Sequence, residues 1–269
     1  MVRALSLYRR LIAIRIRAQM QYRVSFLLEL LTTGIGTAIA FLTVALVLER
    51  FHNIGGWTLG EIALLYGSVE SAFGAMDMIF SGFDPQVFGN QVRLGTFDQM
   101  LLRPVSVTLQ VFSSEFLLRR LGRIAQGLVV LGLGLAWVDI SWTPQKLLLL
   151  PVMLISTVCF FGGLFIIGST ITFWTIDSIE AINILTYGGT EMLSYPMHIY
   201  PAWMGRFFTF IVPAIFLNYY PIVYLLDKPD PYQMPGFVAF LSPVVGLGVL
   251  AASLLFWRFG IRYYQSTGT

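Results

Sequence analysis

A chain of 269 residues that is 57% hydrophobic and 12% charged carries about half the charge of a soluble globular domain, where about 25% is usual. A soluble core cannot absorb that excess. With about 20 apolar residues needed per bilayer crossing, the length holds several spans but no further soluble domain of ordinary size. The expected fold class is all-α: a polytopic membrane protein with one transmembrane domain over residues 1–269.

Basic residues ahead of an apolar stretch resemble a cleaved signal, yet no small-residue cleavage site clearly follows the long run after Val24, so this segment is expected to be kept. Arg3, Arg10 and Arg17 recur every seven residues on one helical stripe, and Leu7, Leu11, Ile14 and Ala18 line another. Residues 1–22 therefore read as an amphipathic helix in the membrane surface, or as a basic flank that only sets topology.

The first span is expected from Val24 to Leu48, followed by the short polar turn Glu49 to Gly56. A second, Leu59 to Phe83, is interrupted by Glu61, Glu70 and Asp77. After the polar stretch from Asp84 to Arg103, Pro104 stands where a helix commonly starts, because its missing N–H costs nothing in a first turn. One helix is drawn from there to Trp137, with Glu115, Arg119, Arg120 and Arg123 in its first part. A fourth span covers Leu147 to Phe173, a fifth Ile176 to Tyr195 and a sixth Pro235 to Phe259. Between the last two, Pro196 to Pro231 holds an apolar run, Phe207 to Leu217, of about 11 residues, too short to cross a bilayer. A re-entrant or interfacial helical hairpin is expected there.

Lys and Arg accumulate on the cytoplasmic side. Arg3, Arg9, Arg10, Arg15, Arg17, Arg23, Arg93, Arg103, Arg119, Arg120, Arg123, Arg258 and Arg262 all fall on one side of a six-span layout with both termini inside. Only Arg50, Lys146, Arg206 and Lys228 fall on the other. Trp57, Trp137, Trp142, Trp203 and Trp257 are placed as interfacial belts.

The single cysteine, Cys159, excludes an internal disulfide and a cysteine-based metal cage, and reads as a small buried hydrophobe. His52 and His198 are far apart, so no metal site is expected. The two lysines, Lys146 and Lys228, follow no glycine-rich phosphate loop, and neither a zinc-protease helix nor a nucleophile elbow occurs. No catalytic residue is assigned, and the chain is not expected to be an enzyme.

What remains are acids within or beside the spans: Glu29, Glu70, Asp77, Asp177, Glu180 and Glu191. A charge at a helix centre costs about 2.5 to 3.5 kcal/mol on insertion scales, so such groups face a cavity, a partner or the interface. Glu70 and Asp77 are seven apart and share a helix face. They form either a polar stripe toward a translocation path, or they pair with basic side chains or lie near the headgroups. The connection 84–104, with Phe88, Phe97, Met100 and Leu101 among mixed charges, suggests a short amphipathic helix on a soluble partner or on the membrane.

Gly95-Thr96-Phe97-Asp98-Gln99-Met100-Leu101-Leu102-Arg103-Pro104, Tyr195-Pro196-Met197-His198-Ile199-Tyr200-Pro201 and Asn218-Tyr219-Tyr220-Pro221 resemble blocks of the membrane subunits of type-2 ATP-binding-cassette exporters, in particular a bacterial six-span branch. The resemblance implies that 84–104 is a cytoplasmic coupling region contacting an ATPase through Arg93, Phe97, Asp98 and Arg103. It further implies that 1–22 is an interfacial connecting helix and 196–231 an external re-entrant pair. It implies a plasma-membrane permease that meets a second permease, identical or related, and two separately encoded ATPase subunits, which hold the ATP and Mg while this chain holds no cofactor. An ion-coupled secondary transporter is the alternative, for which inverted repeats would be expected and none is visible; a structural membrane scaffold is a third.

Overall fold

The computed structural model describes residues 2–51, 53–175, 180–230 and 234–266, and regular structure among them is helical apart from one isolated bridge between Ile54 and Trp57. Helices α1 (Val2–Gln21) and α2 (Arg23–Phe51) are separated only by a bend at Tyr22. Then α3 (Leu59–Ile79) begins where the Glu61 carboxylate accepts the Thr58 N–H at 2.8 Å, a capping box that satisfies donors the helix leaves free.

The connection after α3 folds into two short helices. Asp84 caps α4 (Pro85–Arg93) by accepting the N–H groups of Gln86 and Val87 at 2.9 and 3.3 Å. Gly95, at φ +67°, then supplies a left-handed turn that few other residues tolerate and opens α5 (Thr96–Leu101).

The single helix expected from Pro104 to Trp137 is broken in two. Its parts are α6 (Val107–Ser114) and α7 (Leu121–Trp137), joined through an extended stretch at 115–117 and one 3₁₀ turn. The break survives because Gln19 of α1 replaces the missing helical bonds. Its amide nitrogen donates to the Phe116 carbonyl and its oxygen accepts the Leu118 N–H at 3.1 Å.

The fourth and last expected spans appear as α8 (Pro144–Ile171) and α13 (Ser242–Tyr263). The last begins later than expected, after a 3₁₀ turn over Gly236–Phe240. The fifth segment is helical from Glu180 to Leu193 as α9 (Glu180–Asn183), a π-helical turn (Ile184–Gly188) and α10 (Gly189–Leu193). Then α11 (Ala202–Arg206) and a π turn to Ile211 meet the stretch Ala214–Leu225, which ends in α12 (Tyr219–Leu225), at a bend of 82°.

Four described helices are long and apolar enough to cross a membrane: Arg23–Thr43 within α2, α3, α8 and α13, with the bent pair a fifth if counted as one span. At 1.5 Å per residue α7 reaches about 26 Å, just under the hydrocarbon thickness of about 30 Å.

Two helix pairs make the centre, α3 with α7 antiparallel and α8 with α13 parallel. Gly67 of α3 and Gly127 of α7 let the backbones touch: a Cβ at Gly127 would lie 2.5 Å from the Ser71 nitrogen, and one at Gly67 would run into Leu131 backbone. Small residues that permit close backbone approach are the usual glue of membrane helices, where water supplies no hydrophobic drive. Gly246 of α13 plays the same part against Ser156 of α8. By contrast α2 is peripheral, exposing Leu27, Leu28, Leu31, Ile35, Ile39 and Leu42 along its length. It is fastened at Tyr66, whose hydroxyl donates to the Thr37 carbonyl at 3.0 Å while its ring packs on Phe41.

Candidate functional site: a crest, a charge ladder and a bent pair

At one end of α3, helices α4 and α5 form a crest. Its outer face carries Arg93, Leu94 at 72% exposure, Leu102 at 86% exposure and Arg103. Arg93 donates to its neighbour Asn90, at 2.9 Å.

Beneath the crest lies an aromatic floor. Phe88 and Phe97 pack edge-on at 5.2 Å, Phe88 meets Trp257 of α13 at 5.2 Å, and Phe97 meets Phe173 at 5.2 Å and Tyr264 at 5.0 Å. Of the four residues read as partner contacts, Phe97 is therefore corrected: it is fully buried and supports the crest from below. Asp98 is half-buried and accepts the Ser266 hydroxyl at 2.8 Å, so it fastens the crest to the chain end. Arg93 and Arg103 remain on the surface. Trp257 is likewise no interfacial belt residue; it is fully buried, with its indole N–H donated to Thr108 at 3.0 Å.

Along α3 the acids meet arginines of the broken third helix. Arg123 Nε and Nη2 donate to the two oxygens of Glu70 at 2.6 and 2.8 Å, and the same guanidinium lies 4.6 Å over the Phe73 ring. Asp77 and Arg120 form an ion pair at 2.7 Å. The seven-residue stripe is thus matched rung by rung, which is the ion-pair outcome left open by the sequence. Two arginines that reported only topology become structural. The signal was present: on antiparallel neighbours the pair nearer the crest joins the later residue of one helix to the earlier residue of the other.

Two cavities open nearby, one of them beside the Asp77–Arg120 rung. One, of about 490 Å³, is lined by Asp77, Asp84, Glu115, Arg119, Arg120 and Tyr187 among others. The other, of about 370 Å³, lies between α1 and α2 and includes Arg15 and Glu29; Glu115, Leu117 and Arg119 form a wall common to both. Glu191 is exposed on α10. Asp177, the side chain of Glu180, and His52 lie outside the described residues.

The bent pair is pinned to the middle of α3 by Asn218. Its amide nitrogen donates to the carbonyls of Leu65 and Leu193 at 3.1 and 3.0 Å, and its oxygen accepts the Ser68 hydroxyl at 2.6 Å. A fully buried amide with three of its bonds met ties α3, α10 and the bend into one node. Sequence reading noted the Asn218-Tyr219-Tyr220-Pro221 block without the role of Asn218.

At the far end of α3 the two lysines and His198 are held. Lys228 bonds Glu61 at 2.7 Å and the Gly56 carbonyl at 3.0 Å, and lies 4.6 Å over the Trp57 ring. Lys146 bonds Asp227 at 2.6 Å and Ser141 at 2.9 Å, and His198 Nε2 donates to the Gly55 carbonyl at 2.7 Å. Among the described residues no three His, Cys, Asp or Glu side chains converge as a metal ion would require.

These features define a polytopic helical membrane protein with a fixed ion-pair ladder between two packed helices and an exposed crest at one end. The chain belongs to the ABC-2 family transporter proteins, whose family model matches residues 35–268. No curated protein and no solved structure matches it. As a member of that family the chain is the membrane-spanning permease part of a transporter, and ATP-binding subunits are the kind of partner with which it works.

Proposed function

We propose that this permease belongs to an ATP-driven exporter of the bacterial inner membrane, with both termini cytoplasmic and the α4–α5 crest receiving a separate ATPase subunit. Two permeases, identical or related, meet around a central path, and ATP and Mg are held by the partner subunits. Residues 1–22 lie in the inner membrane surface, 84–104 couple to the ATPase, and 196–231 form the external re-entrant pair.

The observation that carries this reading is the construction of the crest. Exposed leucines and arginines face outward over a floor of Phe88, Phe97, Phe173 and Trp257, so a push on Leu102 is delivered through packed rings to α8 and α13. Packed interiors transmit displacement because they have few voids to absorb it. ATP-driven closure of the partner subunits shifts the permease between two states to the extent that each state binds the closed partner differently. The ladder of matched acids speaks against a proton relay through Glu70 and Asp77, because each carboxylate is already held by an arginine.

The test is affinity purification in mild detergent with mass spectrometry and an ATPase assay. Wild-type protein is expected to bring down a Walker-motif subunit in stoichiometric amount. The double variant Leu102→Asp/Arg103→Glu is expected to lose it while unfolding at the wild-type temperature, since exposed substitutions usually move stability by about 0.5 kcal/mol or less. Retention of the ATPase by the double variant removes the crest as the docking site, and its absence from the wild type removes the exporter reading.

A further inference from the structure

Neither the crest nor the charge ladder uses the cavity of about 370 Å³ between α1 and α2. Its volume lies in the range of about 300–1,000 Å³ common for small-molecule sites. Three pieces of chain wall it: α1 with Arg15, the start of α2 with Ser25 and Glu29, and the strap after α6 with Glu115 and Arg119. Two fastenings hold these walls in place. Gln19 bonds the Phe116 carbonyl and the Leu118 N–H, which sets Arg15, one helical turn earlier in α1, in register with Glu115 and Arg119 on either side of those bonds. Gly122 then locks the start of α7 to α2, since a Cβ there would run into the Leu30 carbonyl and lie 3.0 Å from the Gly34 nitrogen.

Two arginines and two glutamates therefore share one cavity, and none of the four is in a salt bridge among the described residues. Their backbones hold them apart, so both guanidiniums and both carboxylates are left for a ligand to meet. The sign pattern selects that ligand. Met1 to Leu28 hold six arginines and no acid, and such a flank attracts any anionic lipid. Glu29, the first acid of the chain, and Glu115 alter this. A simple anion in the cavity would face two carboxylates, and a simple cation would face two guanidiniums; a group that carries both charges meets all four. The hydroxyls of Tyr22 and Ser25 add neutral donors to the same wall. Beside the cavity, Leu27, Leu28, Leu31 and Ile35 begin the exposed apolar face of α2, which offers a bed for acyl chains.

We propose that this cavity seats the headgroup of a zwitterionic phospholipid from the leaflet on the crest side, with its phosphate at Arg15 and Arg119, its ammonium at Glu29 and Glu115, and its tails along α2. The lipid is a resident of the fold and not the cargo. Its seat joins α1, α2 and the 115–119 strap, three elements that the central helix pairs do not hold directly. The proposal does not depend on the exporter reading.

The test is native mass spectrometry of the full-length protein in mild detergent, titrated with phosphatidylethanolamine or with phosphatidylglycerol of the same acyl chains. Wild type is expected to retain one phosphatidylethanolamine about fivefold more tightly than phosphatidylglycerol, the factor that one partly exposed ion pair supplies. Arg15→Gln should weaken both lipids, because both carry the phosphate. Glu29→Gln should weaken phosphatidylethanolamine by about fivefold and leave phosphatidylglycerol no weaker. Both side chains are exposed, so the lipid-free variants should unfold at the wild-type temperature. Equal binding of the two lipids by wild type, or wild-type binding of phosphatidylethanolamine by Glu29→Gln, overturns the proposal and leaves only a basic flank that gathers anionic lipid. Soluble glycerophosphoethanolamine, the headgroup without tails, should not displace the lipid at equal concentration. If it does, the ligand is a free zwitterion and the lipid assignment fails. Neither ATP nor an ATPase subunit enters this readout, so its failure and a failure to co-purify an ATPase are separate results.

Discussion

The two ends of α3 are tied to different degrees. At the Leu59 end, Lys228 and Lys146 are each drawn onto a carboxylate, Lys228 also lies over Trp57, and His198 fastens the Gly55 turn. These bonds stitch the loops at 55–56, 141–146 and 227–228 together around the bent pair. At the Ile79 end, Arg93 and Arg103 meet no carboxylate among the described residues, and cavities of about 370 and 490 Å³ lie on either side of the wall formed by Glu115, Leu117 and Arg119. The lesson is mechanical. A closed, cross-linked end resists relative movement, whereas an end with polar volume and a rigid crest can be displaced without breaking packed contacts. The Glu70–Arg123 rung lies between them and binds α3 to α7.

Removing that rung is the largest single break available to this comparison. In Arg123→Met, Glu70, only 3% exposed, is left as an unpaired buried charge. Loss of one partner of a buried pair costs about 3–5 kcal/mol. A marked fall in thermal unfolding temperature, followed by tryptophan fluorescence in detergent, is expected. Adding Glu70→Gln should restore part of it, because the stranded charge is then gone. If the double variant is no more stable than Arg123→Met, the loss came from the guanidinium's packing on Phe73 and not from the orphaned carboxylate.

An intermediate effect is expected at Gln19, the residue that holds the open end to the broken helix. Gln19→Ala abandons the Phe116 carbonyl and the Leu118 N–H, and each half-buried group left unpaired costs about 1 kcal/mol or more. Hydrogen exchange should rise at Leu118 and its neighbours while protection in α8 and α13 stays unchanged. Uniform exchange across the chain would mean that the two ends do not differ in local stability as their bonding suggests.

Much of this architecture could be read before the structure was seen, and the exceptions share a cause. Span positions were legible for α2, α3, α8 and α13 because apolar length is a local property of the chain. The run Phe207–Leu217 was legible as too short to cross alone, and the chain bends there by 82°, a geometry shared by a broken span and a re-entrant loop. The break at 115–117 was not legible, since the side chain that makes it tolerable lies 97 residues away at Gln19. Phe97 was read as surface for a similar reason: its partners Phe173, Trp257 and Tyr264 come from the far half of the chain. Glu70 and Asp77 announced a shared face, but the choice of Arg123 and Arg120 required the antiparallel packing that Gly67 and Gly127 permit.

The smallest expected effect lies at the stitched end and is read through pH. Asp227 adopts a left-handed backbone, φ +52°, which Asp and Asn tolerate better than most residues. The Lys146 ammonium and the Ser141 hydroxyl, both bonded to its carboxylate, hold the Asp227 acid below the ordinary carboxylate range. A carboxyl depressed in this way adds stability above its unfolded value of about 4 and loses it as pH falls through the folded value. Asp227→Asn keeps the backbone geometry and removes the charge alone. Wild type should therefore unfold at a slightly higher temperature than the variant at pH 7, and the two curves should converge as the pH approaches 3. Parallel curves down to pH 3 would show that the Lys146–Asp227 bond adds nothing to the closed end, leaving Lys228 and His198 as its working ties.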